Sequence, residues 1–101
     1  MTLAAGLCLA GCTTTGGSGG ALAYVPTRCP IGADVELKIV NARSHGEGVA
    51  AEYAWIKSNL PGWTRDAQAL MPGPGGSSYD VIYLVKGQQK KTVCFDISDF
   101  F

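Results

Sequence analysis

Between Ser44 and Gly62 the chain carries both end signals of one helix, and this segment limits what the rest can build. Ser44-His45-Gly46-Glu47 is a capping box. The Ser44 hydroxyl accepts an orphan amide of the first turn, and the Glu47 carboxylate reaches back toward the cap amide. Asn59-Leu60-Pro61-Gly62 ends the helix, because Pro61 has no amide to continue the ladder. Inside it, Val49, Tyr53, Ile56 and Leu60 recur at spacings of four, three and four, which predicts one apolar stripe that needs a sheet to lie on.

The sheet is read from period-two patterns on either side. Val35-Glu36-Leu37-Lys38-Ile39-Val40 alternates apolar with charged residues and predicts the first strand. Trp63 to Leu70 predicts a second, with a weak pattern because Ala67 and Ala69 offer little to bury. Pro72 to Ser78 can extend neither helix nor central strand, and predicts an exposed loop between antiparallel strands. Tyr79 to Lys86 is apolar on both faces, which predicts a central strand covered on both sides. Gly87-Gln88-Gln89 turns the chain into Thr92 to Ile97, where Val93, Phe95 and Ile97 share a face and Cys94 points the other way. The predicted class is α+β: a two-layer β-α-β-β-β sandwich with one helix on a mostly antiparallel four-stranded sheet. The handedness rule for crossovers places the first strand parallel to a neighbour.

With 101 residues there is room for a single domain, expected at 27–101. The four cysteines divide into Cys8 and Cys12, in an apolar leader, and Cys29 and Cys94, which bracket the patterned region. A Cys29–Cys94 disulfide would close a loop of about 65 residues and contribute roughly 4 kcal/mol on the chain-entropy model. Such a bond persists in an oxidising compartment; the alternative is two buried free thiols. Formal net charge is zero and no basic block occurs, which argues against a nucleic-acid partner.

Residues 1–11 form an uncharged apolar leader, too short to span a bilayer and suited to a signal-peptide core. Leu9-Ala10-Gly11-Cys12 resembles the bacterial lipobox. The resemblance implies lipidation at Cys12, and Thr13 after it, in place of Asp, implies sorting to the outer membrane, facing the periplasm. No positive charge precedes Arg28, so a complete leader would start upstream of Met1; the rival reading is a soluble protein with an apolar tail. Residues 12–26 are read as the lipidated cysteine and a flexible tether, with Thr13 to Gly20 offering no apolar group to bury. An acyl anchor contributes about 0.8 kcal/mol per buried methylene and would hold the domain at the membrane.

The chain is poor in catalytic signals. His45 is the sole histidine, with no Cys or second His nearby in sequence to complete the usual ligand count, so no metal site is expected. No cofactor is expected either, since Gly73-Pro74-Gly75-Gly76 lacks the following lysine and helix N-terminus of a phosphate cradle. Asp66, Asp80, Asp96 and Asp99 include one conceivable carboxylate pair, Asp80 with Asp96, on expected hairpin partners. The stronger feature is aromatic. Trp55, expected on the helix side away from the stripe, and Trp63, just past the helix stop, would serve as binding anchors, with the loop carrying Gly73 and Gly75 closing over a partner. The alternative is that both rings cover the edge of a thin core.

The resulting expectation is a small, non-enzymatic envelope lipoprotein that binds a protein partner. A second expectation is an inhibitor or immunity protein whose loop enters a cell-wall-active enzyme. A hydrolase using Asp80 or Asp96 is the third.

Overall fold

The computed structural model describes residues 20–101, so the leader, the lipobox and Cys12 lie outside the described residues. In chain order the elements are β1 (Ala23–Pro26), β2 (Val35–Val40), α1 (His45–Asn59), β3 (Thr64–Pro72), β4 (Ser78–Lys86) and β5 (Gln89–Asp96). They form one five-stranded sheet in the order β1-β2-β5-β4-β3. The class is α+β, as expected, with one helix against one sheet. The strand count is corrected from four to five. The additional strand, β1, comes from the stretch read as tether and pairs antiparallel with β2, Tyr24 opposite Ile39.

β2 runs parallel to β5, and every other neighbouring pair is antiparallel. The chain leaves β2 through α1, crosses to the far edge as β3, and returns by the β3-β4-β5 meander. The last strand of that meander closes against β2.

Ser44 caps α1 as its sequence requires, accepting the Glu47 amide on Oγ at 3.1 Å. The Glu47 carboxylate reaches one residue further back than the capping-box expectation and accepts the Arg43 amide. That bond comes first among the causes holding its carboxyl below the usual range. The helix stops at Leu60, and Gly62 (φ +88°) adopts a backbone that favours glycine in the turn to β3.

Under α1 lies the main core: Ile39, Ala51, Ile56, Ile82, Leu84, Val93, Phe95 and Ile97. Each fully buried Ile, Leu, Val or Phe there contributes about 1.5–3 kcal/mol. Val93, Phe95 and Ile97 face the helix, and Cys94 faces away. On that opposite side Cys94 is bonded to Cys29, with Cα atoms 6.6 Å apart and a sequence separation of 65. The bond pins the loop between β1 and β2 over Tyr79 and Val81, a second small core that also takes in Ala33 and Met71. Glu36 shapes this loop by accepting the amides of Cys29 and Ala33 at 3.2 and 3.1 Å. The two-sided cover explains why β4 is apolar on both faces. Val81 and Ile82 point in opposite directions, and both are fully buried.

Candidate functional site

The helix covers the middle of the sheet and leaves β3 bare. β3 is an edge strand, paired only with β4, and its residues are exposed apart from half-buried Ala69 and Met71. Arg65, Gln68 and Leu70 lie opposite Leu84, Ile82 and Asp80, so their side chains rise on the helix side of the sheet. A groove therefore runs between α1 and β3. One wall carries His45, Val49, Glu52, Tyr53, Ile56, Lys57 and Leu60 of the helix flank.

A polar bridge divides the groove. The Arg65 guanidinium donates to the Tyr53 hydroxyl at 2.6 Å and to Gln68 Oε1 at 3.0 Å. The Tyr53 hydroxyl donates to the same Gln68 oxygen at 2.6 Å, and Gln68 Nε2 donates to Asp80 Oδ2 at 2.6 Å. On one side of the bridge lies a hollow of about 450 Å³ lined by Ile56, Leu60, Pro61, Trp63 and Leu84, with Lys57 and Arg65 at its margin. Lys91 adds a third cation, 5.3 Å from the centre of the Trp63 ring. On the other side is a cavity of about 230 Å³ whose lining joins Val49, Leu70, Ile97 and Phe101 to His45, Glu52 and Asp80.

Glu52 is the most unusual residue of the domain. It is 0% exposed, and neither carboxyl oxygen has a hydrogen-bond partner. Burial pushes its carboxyl up to about 9, and the neighbouring Asp80 carboxyl pushes it the same way. Two carboxylates cannot donate to each other, so both Glu52 oxygens stay unpaired while ionised. Protonation supplies the missing O–H, which can then be given to Asp80. At neutral pH Glu52 therefore keeps its proton.

The anticipated site residues are dispersed. Trp63 lines the groove. Trp55 does not stand away from the core: it is half-buried, its ring edge-on to Phe95 with centroids 6.1 Å apart. It lies one turn after the buried Ala51, on the same helix side, so the sheet reaches under it. Gly73 and Gly75 sit beyond the far end of β3, and nine residues of strand span roughly 30 Å. Trp63 and the glycine loop thus do not share one surface. Gly73 packs tightly, since a Cβ there would come within 2.3 Å of the Tyr79 ring, whereas Gly75 has open space around it. Asp80 and Asp96 point to opposite sheet faces, because Asp80 lies opposite Phe95 and Asp96 opposite Tyr79. Asp96 instead accepts the Ser98 amide and hydroxyl. The acidic partner of Asp80 is Glu52, which the apolar stripe concealed. Glu52 lies three residues after Val49 and four before Ile56, in the middle of the buried face, and that spacing was the available signal.

The larger hollow, about 600 Å³, lies at Gly20 to Leu22 and Asn41 to Arg43. Among the described residues its ionisable side chains are Arg43 and Glu47, paired with each other at 3.5 Å. Among the described residues no group of three or more His, Cys, Asp or Glu side chains is placed to hold a metal ion. No family model, curated protein or solved structure matches the chain.

Proposed function

We propose that this chain is a small lipid-tethered protein of the bacterial envelope whose domain is a non-enzymatic binding module. It takes an extended segment of a protein partner as a sixth strand on β3. The open edge of β3, with its helix-side face uncovered beside a groove, carries this reading. Exposed edges are normally blunted by charges, bulges or proline. Here those devices occupy the ends of the strand: Arg65 and Asp66 with a register shift at one, Pro72 at the other. The window Ala67-Gln68-Ala69-Leu70-Met71 carries no charge, and Leu70 is 54% exposed. Strand addition satisfies the unpaired backbone groups, and alternate side chains of the guest drop into the groove. The Cys29–Cys94 bond fits the oxidising compartment this address implies.

The lipid anchor at Cys12 and the outer-membrane address rest on the lipobox resemblance. A second reading, an inhibitor of a cell-wall-active enzyme, is favoured by the exposed hairpin tip at Gly75.

The test is capture from envelope extract by the wild type and by Trp63→Ala, followed by hydrogen exchange on the captured complex. The reading expects a partner weakened by Trp63→Ala and new amide protection along Thr64 to Pro72. A partner held equally by both proteins, with β3 amides exchanging as in the free protein, overturns it. Protection confined to Gly73 to Ser77 moves the site to the hairpin tip.

A further inference from the structure

We propose that the cavity lined by Glu52 and Asp80 is a subsite for a lysine side chain of the docked segment, with Asp80 accepting the ammonium and Glu52 positioning Asp80. The inference rests on the α1–β3 groove being the docking surface and names the chemistry that one end of it selects.

Three observations carry it. The cavity is amphipathic in the way a lysine is: Val49, Leu70, Ile97 and Phe101 offer apolar wall for a methylene chain, and the acid pair offers negative charge. Asp80 is 6% exposed, so a cation entering the cavity meets it first, whereas Glu52 lines the cavity with no exposed surface and no partner for either oxygen. The groove is also electrically polarised. Lys57, Arg65 and Lys91 flank the Trp63 end, and Glu52 and Asp80 lie at the Phe101 end. A guest segment that is acidic toward Trp63 and basic toward Phe101 matches both ends, while the reverse polarity meets like charge at each.

The roles follow from access and hydrogen bonding. Asp80 is oriented by Gln68, which is itself held by Tyr53 and Arg65. A protonated Glu52 has an O–H to give the neighbouring Asp80 carboxyl, which leaves Asp80 as the acceptor for a cation in the cavity. Glu52 thus acts through Asp80. A glutamine in its place keeps an N–H for the same purpose, and a leucine does not.

The experiment titrates the full-length chain with Nα-acetyl-lysine-N-methylamide at millimolar concentration, following backbone and carboxyl NMR shifts. The Nε-acetylated analogue, which has the same stem without the charge, is run alongside. The proposal expects saturable shifts at Glu52, Leu70, Asp80 and Phe101 that are absent with the analogue. Asp80→Asn should weaken the probe at least tenfold, Glu52→Leu should weaken it comparably, and Glu52→Gln should restore it to within about threefold of wild type. No saturable shift in the wild type, or equal shifts with the acetylated analogue, overturns the lysine subsite; equal weakening by Glu52→Gln and Glu52→Leu overturns the positioning role. The wild-type comparison of probes needs no variant to fold. The probe does not pair with β3, so loss of the amine site with β3 protection intact leaves the docking surface standing. Loss of β3 protection with the amine site intact does the opposite.

Discussion

Replacing Glu52 by glutamine should make the protein more stable, by an amount that depends on pH in a defined way. Glutamate in the unfolded chain titrates near 4.5, whereas the buried carboxyl holds its proton up to about 9. Between those values the folded state binds one more proton than the unfolded state, so stability falls as pH rises. It is fully present below about 4.5 and lost progressively through about 9. At about 1.4 kcal/mol per pH unit, retaining the proton at pH 7 costs up to about 3 kcal/mol, and at pH 9 up to about 6. Glutamine is close to the same size, does not titrate, and keeps a donor for Asp80. Glu52→Gln should therefore match the wild type near pH 4.5, gain up to about 3 kcal/mol at pH 7, and gain more above it. Titrating groups that do not touch Glu52, such as Glu47, whose carboxyl is shifted the opposite way, are common to both proteins and cancel in the difference. Urea unfolding at a series of pH values measures this directly, with tryptophan fluorescence as the signal because Trp55 packs against Phe95. Parallel stability curves for the two proteins between pH 5 and pH 8.5 would refute the reasoning. So would a variant less stable at every pH, because that would mean the ionised carboxylate is satisfied in the folded state.

Replacing both Cys29 and Cys94 by serine should remove roughly 4 kcal/mol, since the bond closes a 65-residue separation, and calorimetry should show a large fall in Tm with the β1–β2 loop losing exchange protection first. Gly48→Ala would place a Cβ 2.2 Å from the Phe100 ring, so that ring must move; a net loss of about 1–3 kcal/mol is expected despite the better helix former, with shifted Phe100 ring signals as the check. Tyr53→Phe removes the hydroxyl that joins Arg65 to Gln68 and should cost about 1 kcal/mol, read from the urea midpoint at unchanged slope.

The parts of the fold legible in the sequence were those whose signals are local. Ser44 and Pro61-Gly62 delimited α1, and strict alternation gave β2 and β5. The face of Cys94 followed from the parity of Val93 and Phe95. β1 was not legible because four residues ending in Pro26, separated by two residues from a glycine-rich run, carry too little pattern. Their strand character comes from pairing with β2 and from the Tyr24 hydroxyl, which donates to the Ala51 carbonyl at 2.8 Å. Trp55 was misplaced because a stripe drawn through Val49, Tyr53, Ile56 and Leu60 treats the helix as touching along one line. The sheet spreads under a wider arc that includes Ala51 and Trp55. The acid pair needed two separate facts, the seat of Glu52 in the buried arc and the register that sets Asp80 opposite Leu70, and the second is tertiary.

A carboxyl that burial penalises at neutral pH is a local contradiction in an otherwise consistent sequence, and such contradictions concentrate where a surface has work besides folding. The penalty of up to about 3 kcal/mol at pH 7 is of the same order as the roughly 4 kcal/mol expected from the disulfide. These two features sit on opposite faces of the sheet, Glu52 on the helix side with Asp80 and Cys94 on the other. The bond can therefore offset the acid without constraining the groove. A domain this small without the staple would be poorly placed to carry a buried acid. The disulfide on one face and the acid pair on the other are thus best understood together, the first allowing the second to be kept at the end of an open strand edge.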